Sequence, residues 1–423
     1  MPRLALVRGA RQLVTLRGPA GPRRGPELRN PGIIQDGSVL IADGIIREVG
    51  PTRRVENLAA ARNAVEINAA GRVVMPGFID SHAHLVGGQP RLAEFEARLE
   101  GPGMGESRRT PGDTAREIEA TSGKTLDSQA ARIVEEFIRH GTTTIEAKSG
   151  FGISAAGELK ILRASNGLNN RPIPVISTFM ASSEYRAVHD WPAHEYLAWV
   201  IGELLPVVQR RRLASFVDIA CDDGAFTYED CRFFLEAAKR LGFGAKLHGG
   251  QRSRGRAVEL ATEMAVSSID HLVHVDDAQM AELAYSGAVA TLMPGPVFFR
   301  GGPRYAPARA LIDRGAAVAL ATGYNVDTSP SWSMPMTIAL ACEHMRMTPA
   351  EAIAAATING AHALGRAARS GSIEYGKDAD LIILSVPDYR ELPYRFGVNL
   401  VEKTIRRGEI IYDRANVTWP DKS

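Results

Sequence analysis

The sequence predicts an α/β protein with a (β/α)8 TIM barrel and a small β-sandwich formed by its N- and C-terminal segments. In residues 74–368, short apolar runs rich in β-branched residues alternate with longer helical segments, as parallel β/α units require. There are eight such runs, which favours a closed barrel over an open doubly wound sheet. A dinucleotide-binding sheet is the alternative, but no G-x-G-x-x-G motif follows any of the runs.

The eight predicted barrel strands are short, and most of them are separated by helical segments. Those helices are expected, for example, over residues 130–139, 228–241 and 308–313. The predicted strands span residues 74–80, 142–147, 175–180, 215–220, 244–247, 267–270, 288–293 and 316–321. In such a barrel the carboxyl ends of all strands meet on one face, and active sites are found there.

The two ends of the chain, residues 1–73 and 369–423, are predicted to form the two parts of the sandwich. Residues 38–50 contain two β-rich runs on either side of Asp43-Gly44, which is a strong hairpin signal. Short strands separated by turn residues occur near the other end, over residues 379–384 and 404–412. Because both sets consist of short strands separated by turn residues, we expect them to combine into one domain.

Composition and charge are those of a metabolic protein that acts on a small-molecule substrate. The 423 residues include 50 Lys and Arg against 48 Asp and Glu, and this balance argues against nucleic acid or an anionic membrane as a partner. No stretch approaches the roughly 18 to 20 apolar residues that are needed to cross a bilayer. The scattered cysteines Cys221, Cys231 and Cys342 do not form a disulfide framework, and a reducing cytoplasmic location is expected.

The most informative segment is Pro76-Gly-Phe-Ile-Asp-Ser-His-Ala-His84, at the end of the first predicted barrel strand. In a strand, residues two apart point to the same side, so His82 and His84 can converge on one metal ion. An isolated His-x-His pair is a weak signal, and two structural histidines are the alternative. The strand context and the preceding Pro-Gly-Phe-Ile-Asp favour a metal site.

Two further histidines, His248 and His271, end the fifth and sixth predicted strands. Each alone could be a hydrogen-bonded polar group of the barrel core, but their recurrence at one end of successive strands favours a shared site. His82, His84 and His248 would then form a three-nitrogen site with room for water, a common arrangement for catalytic zinc. His271 is expected to act as a proton shuttle or hydrogen-bond donor beside it.

The segments that carry these histidines, together with others along the chain, resemble the imidazolonepropionase family of the amidohydrolase superfamily. The resemblance extends along nearly the whole sequence, and this ordered series of matches is far more specific than any single motif. The matching stretches are residues 76–85, 141–150, 216–221, 270–272, 292–295, 356–361 and 388–399, together with His248, Asn325 and Thr328-Ser-Pro330.

The resemblance implies a metal-dependent hydrolase that opens 4-imidazolone-5-propanoate to N-formimidoyl-L-glutamate in histidine breakdown. It also implies one divalent ion, zinc or iron, bound by residues matching His82, His84, His248 and an aspartate after strand eight. Arg91 matches the arginine that would hold the propanoate of the substrate, although a solvated loop arginine is the alternative. Phe151 and Asn325 are expected to line the substrate, and the family resemblance suggests a homodimer.

Several positions depart from the family pattern. The aspartate expected after strand eight is Gly323, and the glutamate expected after the strand-five histidine is Gln251, which we place with His271 as a catalytic residue. Gln251 keeps the shape of glutamate but cannot accept a proton at neutral pH. Phe151 replaces a tyrosine and lacks its hydroxyl. Lys148 could in principle be carboxylated to supply a ligand, as in other amidohydrolases, and Asp327 could swing in to replace the lost aspartate.

These departures leave three hypotheses for the function. The first is hydrolysis of imidazolonepropionate or a close analogue, and the second is hydrolysis of a different cyclic amide. The third is a catalytically impaired barrel that binds a small carboxylate. Loss of the acidic residues at 323 and 251 favours the third, whereas retention of all four strand-end histidines argues against it.

Overall fold

A computed structural model describes residues 3–100, 110–187 and 190–416, and within them it confirms the predicted barrel and the separate domain built from both chain ends. The strands form two sheets of eight. They are β1 (Leu4–Val14), β2 (Ile33–Ala42), β3 (Ile45–Pro51), β4 (Val65–Asn68), β5 (Val73–Pro76), β6 (Phe78–Asp80), β7 (Thr142–Lys148), β8 (Val175–Ala181), β9 (Phe216–Cys221), β10 (Gly244–Gly249), β11 (Ser268–His271), β12 (Val289–Leu292), β13 (Val318–Leu320), β14 (Leu381–Leu384), β15 (Val401–Arg406) and β16 (Glu409–Asp413).

The barrel consists of β6 to β13, which pair in chain order and in parallel. The first and last strands meet just beyond their ends, where Ala83 bridges Tyr324 and the Thr322 hydroxyl donates to Asp80 Oδ2 at 2.5 Å. The His84 amide also donates to the Tyr324 carbonyl at 2.8 Å. All eight carboxyl ends therefore lie on one face of the barrel.

Helices surround the barrel and bury one face against it, as the amphipathic helix Gly123–Arg139 does with Val134 and Phe137. No helix among the described residues is long and apolar enough to cross a membrane. The α-helices are Thr52–Val55, Leu92–Glu100, Pro111–Ala120, Gly123–Arg139, Ala155–Gly167, Ala193–Trp199, Leu205–Arg210, Tyr228–Arg240, Ala257–Glu263, Asp277–Tyr285, Pro294–Phe299, Ala308–Asp313, Met334–Met345, Pro349–Ala354, Gly360–Ala363 and Glu391–Tyr394, and π turns at Val200–Leu204 and Ala355–Asn359 join neighbouring pairs.

Each of the eight predicted barrel segments contains a barrel strand, but the first segment is divided. β5 pairs with β1 and β14 in the terminal sheet, and only β6 enters the barrel. The chain changes sheets at Gly77, where a Cβ atom would lie 2.3 Å from Thr143 Cγ2. The predicted start of the barrel at residue 74 therefore falls inside a strand of the other domain.

The terminal sheet has the order β16-β15-β14-β5-β1-β2-β3, with β4 also paired to β1. It curls until its two halves meet, because the Ile46 amide donates to Lys377 and the Ala379 amide donates to Gly44, both at 2.9 Å. The predicted Asp43-Gly44 turn is present, and both residues have the positive φ that this turn requires. The sandwich is thus one sheet folded over a shared core; residues 417–423 of the predicted C-terminal part lie outside the described residues.

Candidate active site

Four histidines converge at the carboxyl end of the barrel. His82 and His84 follow β6, His248 lies in β10 and His271 ends β11. One ring nitrogen from each of His82, His248 and His271 lies within 4.8 Å of the others. His84 stands at the edge of this group, with its ring 5.6 Å from that of His82 and 4.9 Å from that of Phe151.

Two buried carboxylates orient two of the metal-site candidates, His82 and His248. Asp270 Oδ2 lies 2.7 Å from His82 Nδ1, and Asp218 Oδ1 lies 3.0 Å from His248 Nδ1. Each Nδ1 must donate a hydrogen to its carboxylate, so each Nε2 is left as an unprotonated nitrogen that can bind a metal. Neither aspartate was predicted as a site residue, although a carboxylate inside an apolar strand is itself a signal that a buried partner exists.

The carboxylates belong to a larger buried network of charges at the barrel centre. Lys148 Nζ lies 3.2 Å from Asp270, 3.4 Å from Glu146 and in hydrogen-bond contact with Asp218, and Lys246 Nζ lies 2.5 Å from Glu146. All five side chains are fully buried. Three carboxylates against two ammonium groups leave one negative charge, which favours a cation nearby.

The network argues against the carboxylated form of Lys148. Burial alone would lower the pKa of the lysine, but the three carboxylates outweigh burial and raise it. Carboxylation requires a free amine, whereas this group remains an ammonium ion held by its partners. Lys148 is therefore a structural cation and not a metal ligand.

Replacing Lys148 by methionine is expected to destabilise the protein strongly, because Asp218, Glu146 and Asp270 would lose their shared cation. Removal of one partner from a buried ionic group costs about 3–5 kcal/mol, and the free energy of unfolding from reversible urea titration measures it. The exposed Lys124→Met variant is the matched control and should change this value by less than about 0.5 kcal/mol. A Lys148→Met protein as stable as that control would contradict the structural role.

His82 and His84 are in the state that metal binding requires. Burial lowers the pKa of His84 to about 3 and that of His82 well below its ordinary value, so both rings are neutral at pH 7. Neutral imidazole is the ligand form, and a set of three histidines suits zinc or iron(II). The residues present therefore fit a divalent metal ion.

His271 reaches into the same site through an unusual backbone. Its φ is +83° and that of Leu272 is +55°, and non-glycine residues adopt such values mainly where surrounding structure enforces them. The imidazole rings of His271 and His248 are 5.0 Å apart. Burial lowers the pKa of His271 to about 3, so its ring is neutral at pH 7.

Gly323 occupies the position where the family resemblance implies an aspartate. Its φ is +61°, and a Cβ atom there would lie 3.0 Å from Met293 Sδ and 3.1 Å from Pro296 Cγ. A side chain there would press on both neighbours and would need a backbone conformation that residues other than glycine rarely adopt. Asp327 does not replace the missing carboxylate in this structure, because it lies beside Arg91 instead, 3.5 Å from its Nη1.

The other predicted site residues are distributed around the mouth of the barrel. Gln251 is exposed, and its backbone N–H donates to Asp222 Oδ2 at 2.6 Å. Asn325 is half-buried, but its side-chain oxygen accepts the Asp327 amide at 2.9 Å and so shapes its own loop. Arg91 Nη2 donates to Thr114 Oγ1 at 2.8 Å. Phe151, stacked edge-on against His84, is the substrate-site candidate that directly contacts a candidate metal ligand.

Comparisons with known proteins show the family of the chain. Two models described as "Amidohydrolase family" match residues 65–108 and 222–411. The chain is 41% identical to the imidazolonepropionase of Geobacillus kaustophilus, over 97% of this chain and 98% of that protein. It is 40% identical to the imidazolonepropionase of Parabacteroides distasonis, over 96% and 98% of the two chains.

Solved structures share the fold at much lower identity. A triazine hydrolase variant superposes with a TM-score of 0.73 at 17% identity, covering 99% of this chain and 97% of that one. An adenosine deaminase from Xanthomonas campestris, solved with bound zinc, superposes with a TM-score of 0.66 at 18% identity, covering 99% and 94%.

Proposed function

The chain belongs to the imidazolonepropionase family of the amidohydrolases, and from this premise we propose that it hydrolyses 4-imidazolone-5-propanoate to N-formimidoyl-L-glutamate. Relatives about 40% identical over nearly the full length have the name imidazolonepropionase. The observation that carries the proposal is the convergence of His82, His248 and His271 at the barrel mouth, with carboxylates orienting the first two.

We assign His82, His84 and His248 as the ligands of one divalent ion, zinc or iron. Such an ion, when bound, acidifies water and polarises the carbonyl that is to be attacked. Asp270 and Asp218 hold the rings of His82 and His248, respectively, in the tautomer that presents Nε2. Loss of a carboxylate that hydrogen-bonds to a metal-binding histidine typically lowers metal affinity or activity 10- to 100-fold.

In the proposed reaction, the oxygen of water forms a bond to the ring carbonyl carbon, and the carbon–nitrogen bond of the cyclic amide breaks. His271 accepts the proton that water gives up and returns a proton to the departing ring nitrogen. Gln251 would donate a hydrogen bond from its amide to the ring, since it cannot act as a base. Phe151 and Asn325 would bound the pocket, and Arg91 would bind the propanoate.

Replacing Arg91 by methionine should raise KM with little change in kcat, because the propanoate does not take part in bond making. A hydrogen bond to a charged group contributes about 1.5–3 kcal/mol, which corresponds to roughly a 10- to 150-fold increase in KM. Steady-state kinetics on the imidazolone substrate measure the change. The exposed Arg116→Met variant is the control; an unchanged KM in Arg91→Met would remove Arg91 from the substrate site.

The proposed function is tested by mixing the metal-loaded protein with freshly made imidazolonepropionate and following the loss of ring absorbance. Mass spectrometry of the product should show N-formimidoyl-glutamate, one water heavier than the substrate. Hydantoin and dihydrouracil serve as other cyclic amides. Turnover of either of these without turnover of imidazolonepropionate would contradict the assigned substrate, and binding without any turnover would indicate an impaired barrel.

The proposal extends to a homodimer in the cytoplasm. Cys221, Cys231 and Cys342 are all free thiols, which supports a reducing compartment. Tyr394 and Phe396 are 83% and 72% exposed on one short segment, and such apolar side chains support contact with a second copy. Sedimentation equilibrium of the purified protein measures the mass in solution.

A further inference from the structure

A buried glutamate lies beneath the loop that carries Phe151. Glu158 belongs to the helix Ala155–Gly167, which follows β7, and it is 1% exposed. Neither the proposed metal site nor the proposed reaction uses this carboxyl group. Burial raises its pKa, because the charged form loses its contact with water, and a polar group in such a place requires compensating hydrogen bonds.

The compensating hydrogen bonds come from the backbone of the loop. The Gly150 N–H donates to Glu158 Oε2 at 3.0 Å. The N–H groups of Gly152 and Ile153 donate to Oε1 of the same side chain at 2.7 and 3.0 Å. One carboxyl group thus holds the loop on both sides of Phe151.

The loop is also held in a conformation that it would not adopt alone. Ile153 has a φ of +61°, and a β-branched residue takes such a value only where the surrounding structure enforces it. A Cβ atom on Gly152 would lie 2.2 Å from the Glu158 backbone nitrogen, so the loop touches the first turn of the helix. The hydrogen bonds to Glu158 stabilise this close approach.

Phe151 extends from this loop into the candidate site. Its ring lies 4.9 Å from that of His84, and a Cβ atom on Gly87 would lie 3.5 Å from the ring. The side chain of phenylalanine has no polar atom, so no side-chain hydrogen bond fixes the ring. Its position therefore depends on the backbone of the loop and on its apolar contacts.

We propose that Glu158 is a positioning residue for the reaction and sets the wall of the substrate pocket by holding Phe151 in place. The inference rests on the proposed function, in which Phe151 bounds the pocket beside His84. The oxygens of Glu158 accept N–H groups of the loop, so the side chain acts on the substrate through Phe151 and not by direct contact.

The first test is Glu158→Gln, which keeps the shape but replaces one acceptor oxygen by an NH2 group that cannot accept a loop N–H. We expect KM for imidazolonepropionate to rise about five- to tenfold and kcat to change less than about threefold, because Phe151 bounds the pocket and transfers no proton. In the Phe151→Ala background the same replacement should change KM less than about twofold, since the ring that it displaces is absent. Equal factors in both backgrounds would overturn the inference.

A second measurement does not depend on the reaction. The analogue 4-fluorophenylalanine is introduced in place of Phe151, and its fluorine resonance is recorded by NMR in the otherwise wild-type protein and in Glu158→Gln. The variant should show a displaced or broadened resonance, because the loop no longer holds the ring in one position. A resonance unchanged in position and width would refute the inference, whereas a displaced resonance without ring opening would support it and contradict only the proposed function.

Glu351→Gln is the matched control for the loss of a buried carboxyl group. Glu351 is fully buried, accepts the Thr348 backbone N–H at 2.7 Å and pairs with Arg29 and Arg309, and none of these residues belongs to the candidate site. This control should lower the free energy of unfolding and leave KM and the fluorine resonance unchanged. Equal changes of KM and resonance in both glutamine variants would overturn the inference.

Ser149→Ala decides the matter if Glu158→Gln does not fold. The Ser149 hydroxyl is hydrogen-bonded to Glu158, and its removal leaves the three backbone donors in place. This milder change should still displace or broaden the fluorine resonance. A folded Ser149→Ala protein with the wild-type resonance would refute the role of Glu158.

Discussion

The His248→Ala protein should not retain its metal, and its kcat/KM should be at least about a thousandfold lower than that of the wild type. Asp218 holds His248 through Nδ1, and one ring nitrogen of His248 lies within 4.8 Å of ring nitrogens of His82 and His271, so removal of the imidazole removes one donor of this cluster. Metal-assisted hydrolysis supplies several kcal/mol of transition-state stabilisation, and each 1.36 kcal/mol lost is a factor of ten in rate. Metal content by mass spectrometry and ring-opening rates from the same preparation measure both effects.

His344→Ala is the control for that experiment. His344 is exposed and stacks on Tyr305, and it is not one of the clustered histidines. The control variant should retain about one equivalent of metal and full activity. A His248→Ala protein that keeps a full equivalent of metal would contradict the assignment of His248 as a ligand.

His271→Asn should lower kcat by about a hundred- to ten-thousandfold while the metal is retained. General acid–base catalysis contributes an effect of this size, and asparagine keeps a polar group in place without accepting the proton. Metal retention is the decisive readout, because one His271 nitrogen lies within 4.8 Å of nitrogens of His82 and His248. Loss of metal in this variant would make His271 a ligand and not the proton acceptor.

His274→Asn provides the comparison for His271, since it changes a histidine only three residues further along the chain. The Nδ1 atom of His274 lies 3.5 Å from Arg304 Nη1. We expect kcat within about twofold of the wild type. An equal loss of kcat in both variants would indicate a general disturbance of this loop and not a specific role for His271.

The barrel was predictable from the sequence because parallel strands buried on both faces are continuous apolar runs. The division between β5 and β6 was not, because residues 73–79 are apolar throughout and the change of sheet takes place at Gly77. That glycine is required by the close approach of Thr143, a tertiary contact that no local pattern shows. Local patterns thus located the strands but not the sheet that each one joins.

The candidate site was predictable in part for a similar reason. The four histidines stand at strand ends, and strand ends share one face in a barrel, so their convergence could be expected. The network around Lys148 depends on pairings between residues 70 to 122 positions apart, which single-sequence patterns do not contain. The pairing of Asp327 with Arg91 is likewise a product of loop geometry, and it differs from the ligand role considered for Asp327.

The most direct test of a metal-dependent ring opening is stepwise reconstitution of the metal-free protein. Zinc or iron(II) is added in fractions of an equivalent, and the initial rate of imidazolone absorbance loss is measured at each step. We predict no turnover without metal and a linear rise that levels off at one equivalent. A rate independent of added metal, or no turnover at any ratio although one equivalent is bound, would contradict the proposed function.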